Sequence, residues 1–325
     1  MCGLKGRRKL LPRENIITMD RTKFYGAITA LVTPFSATNR GGSASGGASN
    51  SIDETSYNKL IEWQIAQGIH GLVPCGTTGE SPTLSTDEHN HVIELCVQTA
   101  RGRVSVIAGA GSNSTAEAVA YTKHAAKVGA NAVLVVTPYY NKPTAKGIYL
   151  HYKAISECAD IPIILYNIAG RTGKNIEPDL MAKLAGIKNI IGVKEASGNL
   201  EQIKRIRELC PKDFLLISGD DVLTLPIMSI GGVGVISVAS NIVPRDVAQL
   251  VNAFNKGDKP KAEAINAKLL PLIDALFVET NPIPVKTAAA LMGLCSGVMR
   301  LPMCEMEEAN LAKLKQALVN YGLLK

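Results

Sequence analysis

Lys194 lies within IIGVKEASGN (residues 190–199), an ammonium in the middle of an apolar run. Burial disfavours a charged amine, and an amine without its extra proton attacks carbonyls to form an imine. A buried ion pair with Glu195 is the bland alternative. It is hard to build, because adjacent residues of a strand point to opposite faces. Snorkelling to a rim stays open. Once formed, a protonated imine draws electrons and acidifies the neighbouring carbon, giving an enamine. That chemistry also requires a proton shuttle and an anchor for the carboxylate of an oxo-acid. Tyr166 and Tyr140 are of the right type for the shuttle, and the Thr77-Thr78 stretch of GTTGE (76–80) for the anchor. Arg171 is of the type that holds a second carboxylate in bidentate fashion. The chemistry implied is that of a class I aldolase or lyase.

Each supporting motif has a plainer reading. Two hydroxyls between glycines also make a simple turn, tyrosines at strand ends are commonly core or interface anchors, and an arginine there can pair with a surface acid. The plain reading fails most clearly at Lys194. No metal is called for: His70, His89, His91, His124 and His151 form no His-x-x-x-His pair or carboxylate cluster at ligand spacing. His89 and His91 are expected as surface or interface residues of a helix.

The elements that must position these residues follow from pattern. Eight short apolar runs occur at 26–34, 68–76, 104–111, 131–140, 161–167, 190–196, 214–221 and 234–240. Continuous apolar runs of this length suit strands buried on both faces, hence a parallel sheet. Between them lie longer amphipathic stretches with helix-start signals; Ser85-Thr86-Asp87-Glu88 and Ser114-Thr115-Ala116-Glu117 both match a capping box. Eight strands alternating with helices predict an α/β (β/α)8 TIM barrel, with the active face at the loops that follow the strands. A doubly wound sheet is second choice, without a G-x-G-x-x-G or Walker sequence to support it. The barrel is expected over 24–257. A C-terminal helical subdomain is expected over 258–325, its helical patterns broken by Pro260, Pro271, Pro282, Pro284 and Pro302. Residues 36–51 (SATNRGGSASGGASNS) read as a flexible Gly/Ser insert after the first strand.

Composition excludes some functions. The chain has 325 residues and a formal net charge of +7. Most of that excess sits in residues 1–23, where Lys5, Arg7, Arg8, Lys9, Arg13, Arg21 and Lys23 face only Glu14 and Asp20. The body is nearly neutral, so a nucleic-acid partner is not expected and the basic segment reads as a disordered tail. Met19 offers an alternative start. No apolar run reaches the roughly 20 residues of a membrane span. Seven scattered cysteines without a Cys-x-x-Cys pair suggest free thiols in a reducing cytoplasm.

From Phe24 onward the chain resembles the dihydrodipicolinate synthases, within the pyruvate-dependent N-acetylneuraminate lyase superfamily. GTTGESPTL, TPYYN, LYNIAGRTG, IIGVKEASGN, ISGDD and GVISVASN carry the resemblance, in order and at natural spacing. It implies a homotetramer of two tight dimers that condenses pyruvate with L-aspartate 4-semialdehyde, without cofactor, through a covalent imine on Lys194. It further implies Tyr166 as general acid/base, Thr78 and Tyr140 as proton relay, and Thr77 and Thr78 as the pyruvate-carboxylate loop. One of Tyr139 and Tyr140 would reach across the tight-dimer interface. Arg171 would bind the aldehyde's carboxylate, and the backbone around Gly219 and Ile236 would line the pocket. For feedback by L-lysine, the matching positions are Ser81, Pro82, His89, Asn113, Glu117 and Tyr139; a capping role for Glu117 and a surface role for His89 are the plain alternatives. Ala169 replaces a frequent proline, and the tail and the insert have no usual counterpart.

Three other readings remain at this point. A sialic-acid or 2-keto-3-deoxy sugar-acid lyase would share the imine chemistry, although sialate lyases generally lack an arginine at position 171. A pyridoxal-phosphate barrel enzyme would also use a Schiff-base lysine. A non-catalytic binding homologue would require Lys194 to be unreactive.

Overall fold

The computed structural model describes residues 20–36 and 50–325. Most of the basic tail and residues 37–49 of the insert lie outside the described residues. The ends flanking that stretch are tied together, by an antiparallel bridge between Phe35 and Ile52 and by the Ser36 amide donating to Ser51 O at 2.8 Å.

The eight apolar runs become eight parallel strands that close on themselves. They are β1 Gly26–Ala30, β2 Gly71–Val73, β3 Ser105–Gly109, β4 Ala132–Val136, β5 Ile163–Asn167, β6 Ile190–Glu195, β7 Leu215–Ser218 and β8 Gly234–Ser237. Closure pairs Ile28 of β1 with Ile236 of β8. Between and after the strands run α1 Glu54–Ala66, α2 Thr86–Ala100, α3 Thr115–Lys127, α4 Ala145–Ser156, the short α5 Ala169–Thr172, α6 Pro178–Ala185, α7 Leu200–Leu209, α8 Thr224–Ser229 and α9 Pro244–Asn255. Three more helices complete the chain: α10 Lys259–Leu276, α11 Ile283–Leu291 and α12 Glu308–Tyr321. The strands have two apolar faces because they serve two cores. An inner one fills the barrel with Ile28, Val73, Ile107, Leu134, Ile164, Ile191, Ile217 and Ile236, among others. The outer one lies between strands and helices.

Strand β6 departs from regular alternation. Ile163 of β5 pairs with Ile190 but Ile164 pairs with Gly192, so Ile191 is an extra residue in β6. Ile190 and Val193 pack into the outer core, whereas Ile191 packs into the inner one. A bulge of this kind re-aims the side chains that follow it. Counting by twos from Ile190 would put Lys194 outside. With the bulge it faces in.

Local signals fared unevenly. Ser85 and Glu88 form the expected reciprocal capping box at α2. At α3 the expected box is absent: Ser114 makes no side-chain cap, and the Glu117 carboxylate instead accepts from Ser112 Oγ. Pro271 does not break its helix but sits inside the 18-residue α10. Pro260 and Pro284 occupy first turns, where the missing N–H has no partner to lose. The last helices fold back on the barrel: α10 packs along α9 and α12, and α9 against β1. Among the described residues no helix is long and apolar enough to cross a membrane.

Candidate active site

The register of β5 and β6 places Lys194 beside Tyr166. Lys194 is only 6% exposed, and its Nζ lies 4.2 Å from the centre of the Tyr166 ring. A cation over an aromatic face is attracted to the ring's electrons, so the phenol and the amine hold one another. Glu195, next along the chain, is fully buried on the opposite face. Its carboxylate accepts from Asn167 Nδ2 at 3.0 Å and from the Ser197 amide at 2.8 Å, and burial raises its pKa. The ion pair between neighbours is therefore not formed. Behind the lysine the chain after β7 passes close: a Cβ on Gly219 would stand 3.0 Å from both Cγ and Cε of Lys194. Ile236 is buried in the inner core.

The loop after β2 is shaped by two residues in the left-handed region, Cys75 and Glu80, each with φ of +54°. Non-glycine residues hold that conformation only where their surroundings enforce it. The Cys75 carbonyl comes so close to Gly109 of β3 that a Cβ there would overlap it, so this turn of the loop requires a glycine at 109. Thr78 is buried, and its Oγ1 accepts from Asn281 Nδ2 at 3.0 Å. Thr77 opens onto a cavity of about 350 Å³ that also touches Tyr166 and Arg171. Arg171, on α5, donates through Nη2 to the backbone oxygen of Asn281 at 3.0 Å. Lys194 does not line this cavity itself but reaches it by way of Tyr166. A primary amine beside a phenol, a hydroxyl-bearing loop and a guanidinium at the mouth can capture a carbonyl compound bearing carboxylates, and can move protons around it.

The remaining expected residues divide. Ser81, Pro82, Glu117 and Tyr139 line the same cavity. His89 and Asn113 do not. His89 is not at the surface or interface position expected of it: it is 2% exposed within the chain and stacks on Tyr121 with ring centres 4.0 Å apart. Burial, and then the nearby His124, bring its pKa down to about 4. His91 is half-buried, in a 2.8 Å pair with Glu54. Tyr140 has a φ of +66° and is 88% exposed, so within one chain it stands apart from Tyr166 and Lys194. Asn281, Glu80, Lys286 and Arg300 escaped the reading of the sequence. Lys286 carried a usable signal, the same lysine in an apolar run (IPVKTAAAL) that singled out Lys194. The others carried none, because their partners lie some 200 residues away in the chain.

A closed parallel barrel with a buried lysine and a phenol at the ends of adjacent strands defines a barrel enzyme of the lysine-centred kind. The model of the dihydrodipicolinate synthetase family matches residues 23–321, and the chain belongs to that family. It is 58% identical over 303 residues to the 4-hydroxy-tetrahydrodipicolinate synthase of Endomicrobium trichonymphae, covering 93% of this chain and 100% of that one. Among solved structures it is similar to DHDPS from Cyanidioschyzon merolae with lysine bound: TM-score 0.87, 42% identity, 93% of this chain and 99% of that one. It is likewise similar to the chloride-inhibited dihydrodipicolinate synthase from Acinetobacter baumannii complexed with pyruvate: TM-score 0.87, 41% identity, 92% and 99% coverage.

Proposed function

We propose that the chain condenses pyruvate with L-aspartate 4-semialdehyde to 4-hydroxy-tetrahydrodipicolinate, the step that commits carbon to diaminopimelate and lysine. The observation that carries the reading is the inward-facing Lys194, 4.2 Å from the Tyr166 ring, in a barrel of this family. The Lys194 amine adds to the pyruvate ketone and water leaves, giving an imine; loss of a methyl proton then gives the enamine that attacks the aldehyde. The aldehyde substrate's own amino group closes the ring on the imine carbon and releases the lysine. The backbone N–H groups around Thr77 and Thr78 receive the pyruvate carboxylate, and Gly219 and Ile236 shape the space beside it. Tyr166 exchanges protons at the reacting carbon, with Thr78 and Tyr140 passing them on. Arg171 takes the aldehyde's carboxylate. The route uses no cofactor.

An aromatic side chain as exposed as Tyr140 suits an interface, and a homotetramer of tight dimers would bring it to a neighbouring site. Ser81, Pro82, Glu117 and Tyr139 would meet L-lysine, with Asn113 beside them and His89 supporting from behind the wall. The free thiols suit the cytoplasm.

A substrate screen tests the function. Pyruvate with L-aspartate 4-semialdehyde should turn over, at a rate lowered by millimolar L-lysine, in a particle that sizes as a tetramer by light scattering. Pyruvate with N-acetylmannosamine should not. Turnover of the sugar instead would make the chain a sialic-acid lyase, the reading that Arg171 argues against.

A further inference from the structure

Asn281 lies between α10 and α11, is 5% exposed, and touches two of the residues just assigned roles. Its side-chain Nδ2 donates to Thr78 Oγ1 at 3.0 Å, and its backbone oxygen accepts from Arg171 Nη2 at 3.0 Å. Neither contact is incidental to a loose loop, because the segment on either side is pinned. Five residues on, the fully buried Lys286 ammonium meets Glu80 Oε1 at 2.5 Å. Glu80 is two residues past Thr78, and its other oxygen accepts the Arg300 amide at 3.1 Å. The Phe35 ring is shared by both cations, with Lys286 Nζ at 4.1 Å and Arg300 Cζ at 4.4 Å from its centre.

A buried ion pair is a poor source of net stability, since desolvation offsets most of the attraction, whereas leaving one partner alone is costly. What such a pair does well is fix the register of two segments. Here it joins the loop after β2 to a helix 206 residues further along the chain. The geometry locked in place is the Asn281–Thr78 hydrogen bond. A threonine hydroxyl has one proton to give and two lone pairs to receive with. An amide N–H on one lone pair leaves that proton free for another acceptor, beside Thr77 and the cavity that Thr77 lines.

Building on the proton-relay role proposed above for Thr78, we propose that Asn281 is a positioning residue for catalysis. Its amide sets the direction in which Thr78 gives its proton, and the Glu80–Lys286 pair holds it there. Asn281 need not touch substrate to do this. A reversed polarity at position 281 would draw the Thr78 proton out of the relay, while truncation would merely leave it undirected.

The test compares Asn281→Asp and Asn281→Ala at saturating pyruvate and aldehyde, in the otherwise native chain and in Thr78→Val. The aspartate keeps the shape of asparagine but accepts rather than donates. It should therefore lose more kcat than the alanine, by about 10- to 100-fold against a few-fold, which at most reaches the low end of the roughly 100- to 10,000-fold that a positioned proton transfer contributes. In the Thr78→Val background both changes should cost almost nothing further, the mark of two residues acting through one contact. If alanine is the worse of the two, or if the losses persist without the Thr78 hydroxyl, Asn281 serves only packing and the inference falls. Should the aspartate variant fail to fold, the alanine variant in both backgrounds still decides it. An unmutated chain that forms no product from these substrates would instead overturn the function proposed above. Product formation with the wrong order of variants overturns only the role of Asn281.

Discussion

Gly219 governs how near the chain after β7 comes to the amine at the centre of the site. Its place could be taken by alanine only if Lys194 or Ala196 gave way, because the new methyl would stand 3.0 Å from two carbons of the lysine and 2.8 Å from Ala196 Cβ. Overpacking of that sort costs about 1–3 kcal/mol when neighbours must shift, and a nucleophile displaced by about 1 Å can lose on the order of 100-fold in rate. Gly219→Ala should therefore lower kcat/KM for pyruvate by about 10- to 100-fold while the melting temperature moves by only a few degrees. Unchanged kcat/KM in a folded variant would show that the lysine does not need this clearance. At this scale the sequence was most informative about residue types. Lysine, tyrosine, threonine and arginine each announced a chemistry, and Thr77, Tyr166 and Arg171 do meet at one cavity. It was least informative about the partners that hold them. Nothing near Thr78 in the chain points to Asn281, since a hydrogen bond across some 200 residues leaves no local pattern.

The helices and strands show why some local signals held and others did not. The capping box of α2 survived because Glu88 can serve Ser85 and still accept from Arg300, whose hydrogen bonds hold its pKa down to about 2. The box expected at α3 lost Glu117 to Ser112, a competitor two residues before the cap. The bulge in β6 was illegible for a different reason. A strand apolar on both faces shows no alternation, so an inserted residue leaves no trace, and the inward aim of Lys194 could be argued only from chemistry. In α2, His89 carries the clearest pH dependence. Its ordinary pKa of 6.5 falls to about 4 in the fold, so the unfolded chain binds more protons between those values. Stability from the neutral imidazole is complete above pH 6.5 and is lost as pH falls toward 4, a change of about 3 kcal/mol. His151, also lowered to about 4 by burial, acts in the same window, whereas Glu88 is lost only between about pH 4.5 and 2. Denaturant midpoints measured from pH 7 to 4 should fall, and His89→Phe, which keeps the stack on Tyr121, should remove about half of that fall. An identical slope in the variant would mean that His89 is not held neutral.

On the scale of the molecule, eight apolar runs were enough to read a barrel, because a parallel sheet must be covered on both faces and closure gives it an inner core as well. The contribution of the C-terminal helices to the site was not readable in the same way. Their prolines suggested breaks, yet Pro271 is absorbed within α10, and the segment after that helix supplies the buried contacts to Thr78, Arg171 and Glu80. The barrel therefore supplies the amine and the phenol, and the C-terminal part supplies the frame for the hydroxyl and the guanidinium. Everything in that division of labour depends on Lys194 being the residue that bonds to pyruvate. Incubation of the purified chain with pyruvate and sodium borohydride, followed by peptide mass mapping, tests this directly. Loss of activity should accompany one reduced pyruvate adduct per chain, located on Lys194. An adduct on any other lysine, or full activity and no adduct after the same treatment, would contradict it.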